Sequence, residues 1–253
     1  MTIVVAYKYA ANSQDASVAP DGHVDWSRAK EAVSEYDSVA IQFARHAAAA
    51  AGGDVVGVTV GGAAAGTPNA RKGALARGLD RALVLADDAT SGWNATATGS
   101  ALAHLVERID GVDCVMTGDA SVDEGAQMIP ALIAGHLGWP CFLEVRAIDR
   151  TADGWRLVQD HQGGTRTVDV AGHVVISVAT DAVEAKSPGM KDILAAGKKP
   201  SEDVALAEVQ PADVTWDVVG RAPAPTQARR RELFDGADAP AELAAALKTT
   251  GVL

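Results

Sequence analysis

The stretch DVVGVTVGGAAAGTPNARKGALARGLDRALVLA, residues 54–86, decides the fold. It opens on an apolar, β-branched run, Asp54–Val60, that stops at Gly61 and Gly62. Thr67 and Pro68 then read as a helix N-cap and first helical residue, with Gly78 as the stop. A second short apolar run, Arg81–Leu85, follows at once. Strand, helix and strand at this spacing form a βαβ unit, and such units build parallel sheets.

The same grammar extends in both directions. Upstream, Thr2–Tyr7 is a short apolar run that suits a buried parallel strand. Residues 9–30 carry no periodic signal and read as a long loop, a length that hints at function. From Ser34 to Ala51 the pattern is helical, with Val39, Phe43, Ala47 and Ala50 on one face and Gly52–Gly53 as the close. Downstream, a helix near Asn94–Ile109 carries Ala97, Ala101, Leu102, Leu105 and Val106 on one face. Asp113–Thr117 reads as a fourth strand. Met128, Ile129, Leu132, Ile133 and His136 form the next helix face, stopped by Gly138 and Pro140.

The expected fold class is α/β: an open parallel sheet with helices on both faces. Right-handed crossovers place all strand C-termini along one edge, where open α/β sheets bind ligands. The loops on that edge are residues 7–9, 60–66, 86–93 and 118–126.

After Pro140 the grammar changes. Cys141–Ile148, Gly154–Asp160, Arg166–Ala171 and Val174–Ala179 come in succession, with turns at Asp153–Gly154 and Gly163–Gly164. This predicts an antiparallel extension. Residues 181–191 are irregular, and Lys191–Ala196 makes one or two helical turns. From Gly197 to Asp238 the chain is rich in Pro and charge, with isolated Val214, Trp216, Val218 and Phe234. Such a stretch has little core of its own and is either disordered or wrapped on something else. Pro240–Thr249 ends as a short helix. The expected organisation is a domain over 1–199, its extension at about 141–179, and an arm over 200–253.

Composition narrows the function classes. The chain has 253 residues, 48% hydrophobic but only 4% aromatic, so small side chains dominate and favour close helix–sheet packing. Its net charge of −11 argues against nucleic acid and anionic membrane as principal partners, although Arg229, Arg230 and Arg231 could form a local basic patch. Cys114 and Cys141 make no Cys-x-x-Cys pair, and no disulfide framework or zinc site is readable. The apolar stretch at Ile3–Ala6 is too short for a signal peptide or a membrane span, which leads to the expectation of a cytoplasmic protein without membrane insertion.

The sharpest local feature is the loop from Thr117 through Gln127, where small residues, hydroxyls and acids stand between a strand end and a helix start. Backbone N–H groups at a helix N-terminus can hold phosphate. Asp123 or Ser121 can equally be a plain helix cap. The acids Asp119, Asp123 and Glu124 suit ribose hydroxyls or capping better than a bare phosphate. Gly61-Gly62-Ala63-Ala64-Ala65-Gly66 is a flexible loop or a tight βα turn, and it matches neither a P-loop nor G-x-G-x-x-G. The six histidines are scattered without metal-ligand spacing, and no nucleophile elbow is present. The absence of hydrolytic or transferase machinery suggests that a bound cofactor does the chemistry.

Several motifs in order resemble the beta subunit of electron-transfer flavoproteins. Val5-Ala6-Tyr7-Lys8 is similar to that family's opening V-A-V-K, and Ser34-Glu35-Tyr36-Asp37 falls where the family has N-P-(F/Y)-D/C. Val58-Thr59-Val60-Gly61 matches V-x-x-G, and Arg71–Ala82 resembles R-x-A-L-A-M-G-A-D-R-A. Val112-Asp113, Gly118, Asp123, Gln127 and Gly135–Pro140 track V-D-L-V-L-x-G…D…Q…L-x-W-P. Gly163–Gly164 lies in the expected hairpin, and Ala195–Pro200 resembles A-A-K-K-K-P.

The resemblance spans essentially the whole chain and implies an adenine-nucleotide alpha-hydrolase-like fold. It implies an electron-carrier subunit that performs no covalent catalysis of its own. Such a subunit binds AMP, or FAD in the electron-bifurcating kind, while a partner alpha subunit holds the redox FAD. The implied cofactor-binding positions are Ala6, with its backbone against the adenine, then Ser34, Tyr36, Asp37, Val60, Gly61 and Gly118. Asp123, Glu124, Gly125, Ala126, Gln127, Met128 and Ile129 complete them, with phosphates near a helix start at about Gly125–Gln127. The resemblance also implies that flavin-dependent dehydrogenases dock on the loop at 181–191. There Met190 is the apolar tip, with Pro188 and Gly189 beside it, unless Met190 merely caps the following helix against the core. The arm would wrap the alpha subunit and bury Trp216, Val218 and Phe234.

Three segments depart from the family pattern. Ser34–Glu35 replaces Asn-Pro, the loop before Gln127 is one residue short, and Val183-Glu184-Ala185-Lys186 replaces N-x-P-R. These leave nucleotide and partner identity open. The rival readings are a stand-alone adenine-nucleotide-binding or hydrolysing domain and a nucleotide-free scaffold paired with an alpha subunit.

Overall fold

The computed structural model describes residues 1–19, 21–213 and 231–252. The chain forms two compact units, with the boundary between Asp217 and Val218.

The first unit starts with β1 (Thr2–Ala6). Four short strands then form two small antiparallel ladders: β2 (Tyr9–Ala11) pairs with β5 (Glu31–Val33), and β3 (Ser17–Val18) pairs with β4 (Val24–Asp25). The stretch read as a plain loop is therefore locally paired, in strands too short to show a period. Next come α1 (Glu35–Ala51), β6 (Asp54–Gly61), α2 (Pro68–Ala76), β7 (Arg81–Ala86), α3 (Ala95–Glu107), β8 (Val112–Gly118) and α4 (Ile129–Leu137). The succession continues as β9 (Cys141–Arg150), β10 (Gly154–His161), β11 (Gly164–Ala171), β12 (Val174–Val178), α5 (Met190–Ala196) and β13 (Ser201–Asp203).

Nine strands form one sheet in the order β11-β10-β9-β12-β8-β1-β6-β7-β13. Of these, β10 runs against its two neighbours, and the other pairings are parallel. β9, β10 and β11 thus form the expected antiparallel extension, and the expectation is corrected at its fourth strand. β12 turns back into the parallel sheet, between β8 and β9. All five of its residues are buried, which suits a central strand covered on both faces and not a hairpin edge.

Alternation along each strand feeds two cores. Ile3 and Val5 of β1 pack on one face with Ile41, Ala44, Ala74 and Leu75 of α1 and α2. Val4 and Ala6 pack on the other with Ala101, Leu102 and Leu105 of α3 and Ile133 of α4. The buried face of α1 is wider than the expected one: Phe43 and Ala47 are buried as expected, Ala40, Ile41, Ala44 and Ala48 join them, and Ala50 is exposed. On α4, Ile133 and Ala134 are buried and His136 points to solvent.

The stretch from residue 200, expected to begin an arm, first completes the sheet. β13 pairs with Ala82–Val84 of β7, and Val204 and Val209 are buried in the core that α3 covers. Lys199 Nζ donates to the carbonyls of Leu75 (3.1 Å) and Leu79 (2.5 Å), closing the C-terminal end of α2.

In the second unit, α6 (Ala239–Thr249) starts close to its expected place at Pro240, and none of its residues is buried. Phe234 is half-buried. Val214, Trp216, Val218, Arg229 and Arg230 lie outside the described residues.

Candidate functional site

The chain leaves β1 for β6 and β7 on one side, then returns through α3 to β8 on the other side of β1. Two strands diverging in this way open a crevice beyond their C-terminal ends. A cavity of about 380 Å³ lies there, lined by the ends of β1, β6 and β8 and by the starts of α3 and α4.

Asp37 fixes the floor. It sits in the first turn of α1 and is buried. Its Oδ2 accepts the Lys8 backbone N–H (2.7 Å), just past β1, and its Oδ1 accepts the Gly118 N–H (3.1 Å) at the end of β8. Burial pushes its carboxyl up to about 7, although both N–H groups and the Lys8 charge pull it down. Gly118 has no room for a side chain: a Cβ there would stand 2.6 Å from Asp37 Oδ1 and 2.7 Å from the Tyr36 carbonyl carbon. Helix and strand end are thus packed backbone to backbone.

The rim is polar and bonded within itself. Lys8 Nζ pairs with Asp123 at 2.7 Å. Partial burial raises the Asp123 pKa, but the hydrogen bonds and charge of Lys8, with Ser121, more than offset this and hold it below the usual carboxylate range. Ser121 Oγ accepts the N–H groups of Glu124 and Gly125, both at 3.3 Å. Gln127 Nε2 donates to Asp119 Oδ2 at 2.9 Å. Gly125 and Gln127 have left-handed backbones (φ 61° and 54°), which keep the helix from starting there. α4 begins instead at Ile129, with Met128 as its N-cap residue, so Ser121 and Asp123 cap a turn and not the helix. The expected helix start at Gly125–Gln127 is corrected by this turn.

The structure gathers most of the sequence-derived site residues. Ala6, Asp37, Val60, Gly61, Gly118, Asp123, Glu124, Ala126, Gln127, Met128 and Ile129 all line the cavity. Ser34, Tyr36 and Gly125 are not among its lining residues. Ser34 is buried behind the floor, its N–H donating to the Lys8 carbonyl (2.9 Å) and its hydroxyl without a partner in the described structure. Tyr36 packs on Gly118.

Sequence reading placed the loop at 86–93 on this edge but did not single out the wall that its Thr90, Ser91 and Trp93 form with Thr98 and Leu102 of α3. One signal was available. Trp93 directly precedes Asn94, whose side chain caps α3 by accepting the Ala97 N–H (2.9 Å), and an apolar residue just before an N-cap commonly folds back onto the helix.

The second region singled out by sequence lies elsewhere in the first unit. Met190 opens α5 and is 73% exposed, with Ile193 and Leu194 also exposed. The Gly189 N–H donates to Asp192 Oδ2 (2.8 Å), and Pro188 helps line a separate cavity with Arg77 and Lys186. Among the described residues, no helix is long and apolar enough to cross a membrane.

A parallel sheet with a ligand-sized cavity at its switch point is shared by many nucleotide-binding proteins, so family membership needs a match along the sequence itself. The family model for the electron transfer flavoprotein domain matches residues 22–209, which include α1 through β13 and most of the cavity; the chain belongs to that family.

Proposed function

We propose that this chain is the beta subunit of a heterodimeric electron-transfer flavoprotein. In this reading the cavity holds AMP or FAD, and the complex works in the cytoplasm. Electrons pass from flavin-dependent dehydrogenases through the FAD of the alpha subunit. The family match supports the electron-transfer role, and the motifs at 5–8, 71–82 and 195–200 favour the beta type over the alpha type.

The observation that carries the nucleotide is the cavity's make-up. Its apolar side is continuous with the core at Ala6 and Leu102, and its rim carries Lys8, Ser121, Asp123 and Gln127. Ligand sites combine such an apolar side with a few convergent polar groups. A volume of about 380 Å³ suits a mononucleotide, and FAD would extend past the rim. A bound flavin would supply reversible electron uptake. This chain's own residues bind and orient, and none performs covalent catalysis.

Two surfaces suit protein partners. The exposed Met190, Ile193 and Leu194 offer an apolar patch to a dehydrogenase, next to the stiffening Pro188 and the turn at Gly189. In the second unit, α6 has 11 residues and no buried side chain, and a helix of that length is marginal in water. Seating the second unit on an alpha subunit would stabilise it.

The test is mass spectrometry of nucleotides released from the co-expressed alpha–beta complex. AMP beside one FAD per heterodimer, or two FADs, supports the reading. A complex with only the alpha-subunit FAD makes this chain a nucleotide-free scaffold. A partnerless monomer that turns over ATP makes it a hydrolase.

A further inference from the structure

We propose that Trp93 is the residue against which the flat ring of the bound nucleotide stacks. The inference rests on the reading of the cavity as a nucleotide site and adds to it the side chain that selects a planar heteroaromatic group.

Five apolar side chains of the cavity, Ala6, Val60, Trp93, Leu102 and Ile129, belong to or pack against a single hydrophobic cluster. They come from two strand ends, two helices and one loop, so the cavity has one apolar side and one polar side. Charged groups at the mouth, including Lys8, Asp123 and Glu124, come from the loops after β1 and β8. A ligand matching this division has a ring at one end and hydroxyls or phosphate at the other. Three aromatic residues line the cavity: Tyr7 is buried in the core on the opposite face of the sheet and Tyr9 packs against that same core, so on the apolar side the extended π face is that of Trp93, and stacking on such a face tolerates any planar base.

The wall that holds Trp93 is braced on both sides. The Trp93 N–H donates to the Thr90 carbonyl (3.0 Å), closing a short helical turn that Asp87 caps through the Ala89 N–H (2.9 Å). The Asp87 N–H donates to the Gly61 carbonyl (2.9 Å), and Asp88 Oδ1 accepts the Ala63 N–H (2.8 Å). These bonds strap the turn to the end of β6. Immediately after Trp93, the Asn94 cap starts α3. These bonds fix the backbone at Trp93, and its ring packs against the cluster that α3 covers, so the indole loses little freedom on binding and stacking is realised at low ordering cost. Trp93 is half-buried, which leaves part of the ring free for a ligand.

The experiment uses the full chain in its alpha–beta complex, stripped of nucleotide, and titrates AMP while following tryptophan emission. Equilibrium dialysis measures binding independently of the signal. The wild type should quench on binding. Trp93→Leu should lose that quench and bind AMP roughly tenfold more weakly. Trp93→Phe should lose the quench but stay within about threefold of wild-type affinity, because a phenyl ring still stacks. Trp139→Phe, whose ring stacks on His173 outside the cavity, should keep both signal and affinity. Unchanged affinity in Trp93→Leu overturns the stacking role and leaves the nucleotide site standing. Absence of AMP binding in the wild type by dialysis overturns both.

Discussion

The floor and the rim of the cavity are built by different physics. The floor is tied by buried bonds between elements far apart in sequence: Asp37 joins α1 to the ends of β1 and β8, and Gly118 lets those backbones touch. The rim from Asp119 to Met128 is tied mostly by bonds among its own exposed groups, and one ion pair links it to Lys8. Buried, unreplaceable bonds determine whether the site exists. Exposed, screened ones affect what it holds and contribute little to stability. Substitutions should therefore separate stability from binding according to which region they strike.

The largest effect is expected at Gly118→Ala. The new methyl meets backbone and a buried carboxylate, neither of which can swing away, so α1 or β8 must move. Overpacking of this kind costs about 1–3 kcal/mol, and nucleotide should be lost with it. Urea unfolding of the variant checks this. A midpoint equal to wild type would show that the floor is softer than its contacts imply.

Asp37→Asn comes next. The carboxylate accepts two N–H donors, whereas an amide has an acceptor on one side only, so one buried N–H is left unpaired at about 1–3 kcal/mol. This variant also isolates a pH effect. The folded pKa of Asp37 is raised from 3.8 to about 7. Its stabilising contribution is therefore fully present below about pH 4 and is lost as pH rises to about 7, because in that window the folded state binds a proton that the unfolded state has released. The stability of wild type relative to Asp37→Asn should fall across that window, by at most about 1.4 kcal/mol per pH unit, and level off above it. A flat difference would mean that Asp37 is ionised in the folded protein throughout, with the two N–H bonds outweighing burial.

The contrast also explains what was legible in the sequence. Strand–helix alternation, the Thr67 cap, the glycine stops and the hairpin turns are local signals, and the elements stand close to where they predict them. The loop after β8 announces itself through its acids and glycines. Three features depend on tertiary context. β12 lies only two residues after β11, which suggests another hairpin, yet its run of five buried residues belongs in the middle of the sheet. β13 is three residues long and is held by edge pairing with β7 and by the Arg71–Asp203 ion pair, neither of which shows as periodicity. Trp93 ends a loop that the alternation of elements places on the ligand edge, but no motif singles it out, and the straps to Gly61 and Ala63 that fix the turn before it are not encoded in sequence spacing.

At the rim, Ala126→Asp adds a charge to an exposed lining position. Thermal stability should stay within about 0.5 kcal/mol of wild type, while AMP or FAD retention falls about tenfold, on the order of 1.4 kcal/mol. Unchanged nucleotide content, measured after purification of the complex, would remove this loop from the site.

The smallest stability effect is expected at Lys8→Met, and it tests the comparison most finely, because Lys8 belongs to both regions. Its backbone N–H is part of the floor, bonded to Asp37, while its ammonium is part of the rim, paired with Asp123. Methionine keeps the N–H and most of the side-chain length and removes only the charge. The lost pair is half in solvent, with side chains 40% and 24% exposed, so screening limits its worth to about 0–1 kcal/mol. Binding should suffer more than folding. Asp123 would then face the cavity without its cation, beside Asp119 and Glu124, and a phosphate would meet net repulsion there. The expected outcome is a small change in urea midpoint with severalfold weaker AMP binding at low salt, a gap that narrows as salt is added. If stability drops by as much as in Asp37→Asn, the rim helps hold the fold, and the division between floor and rim fails.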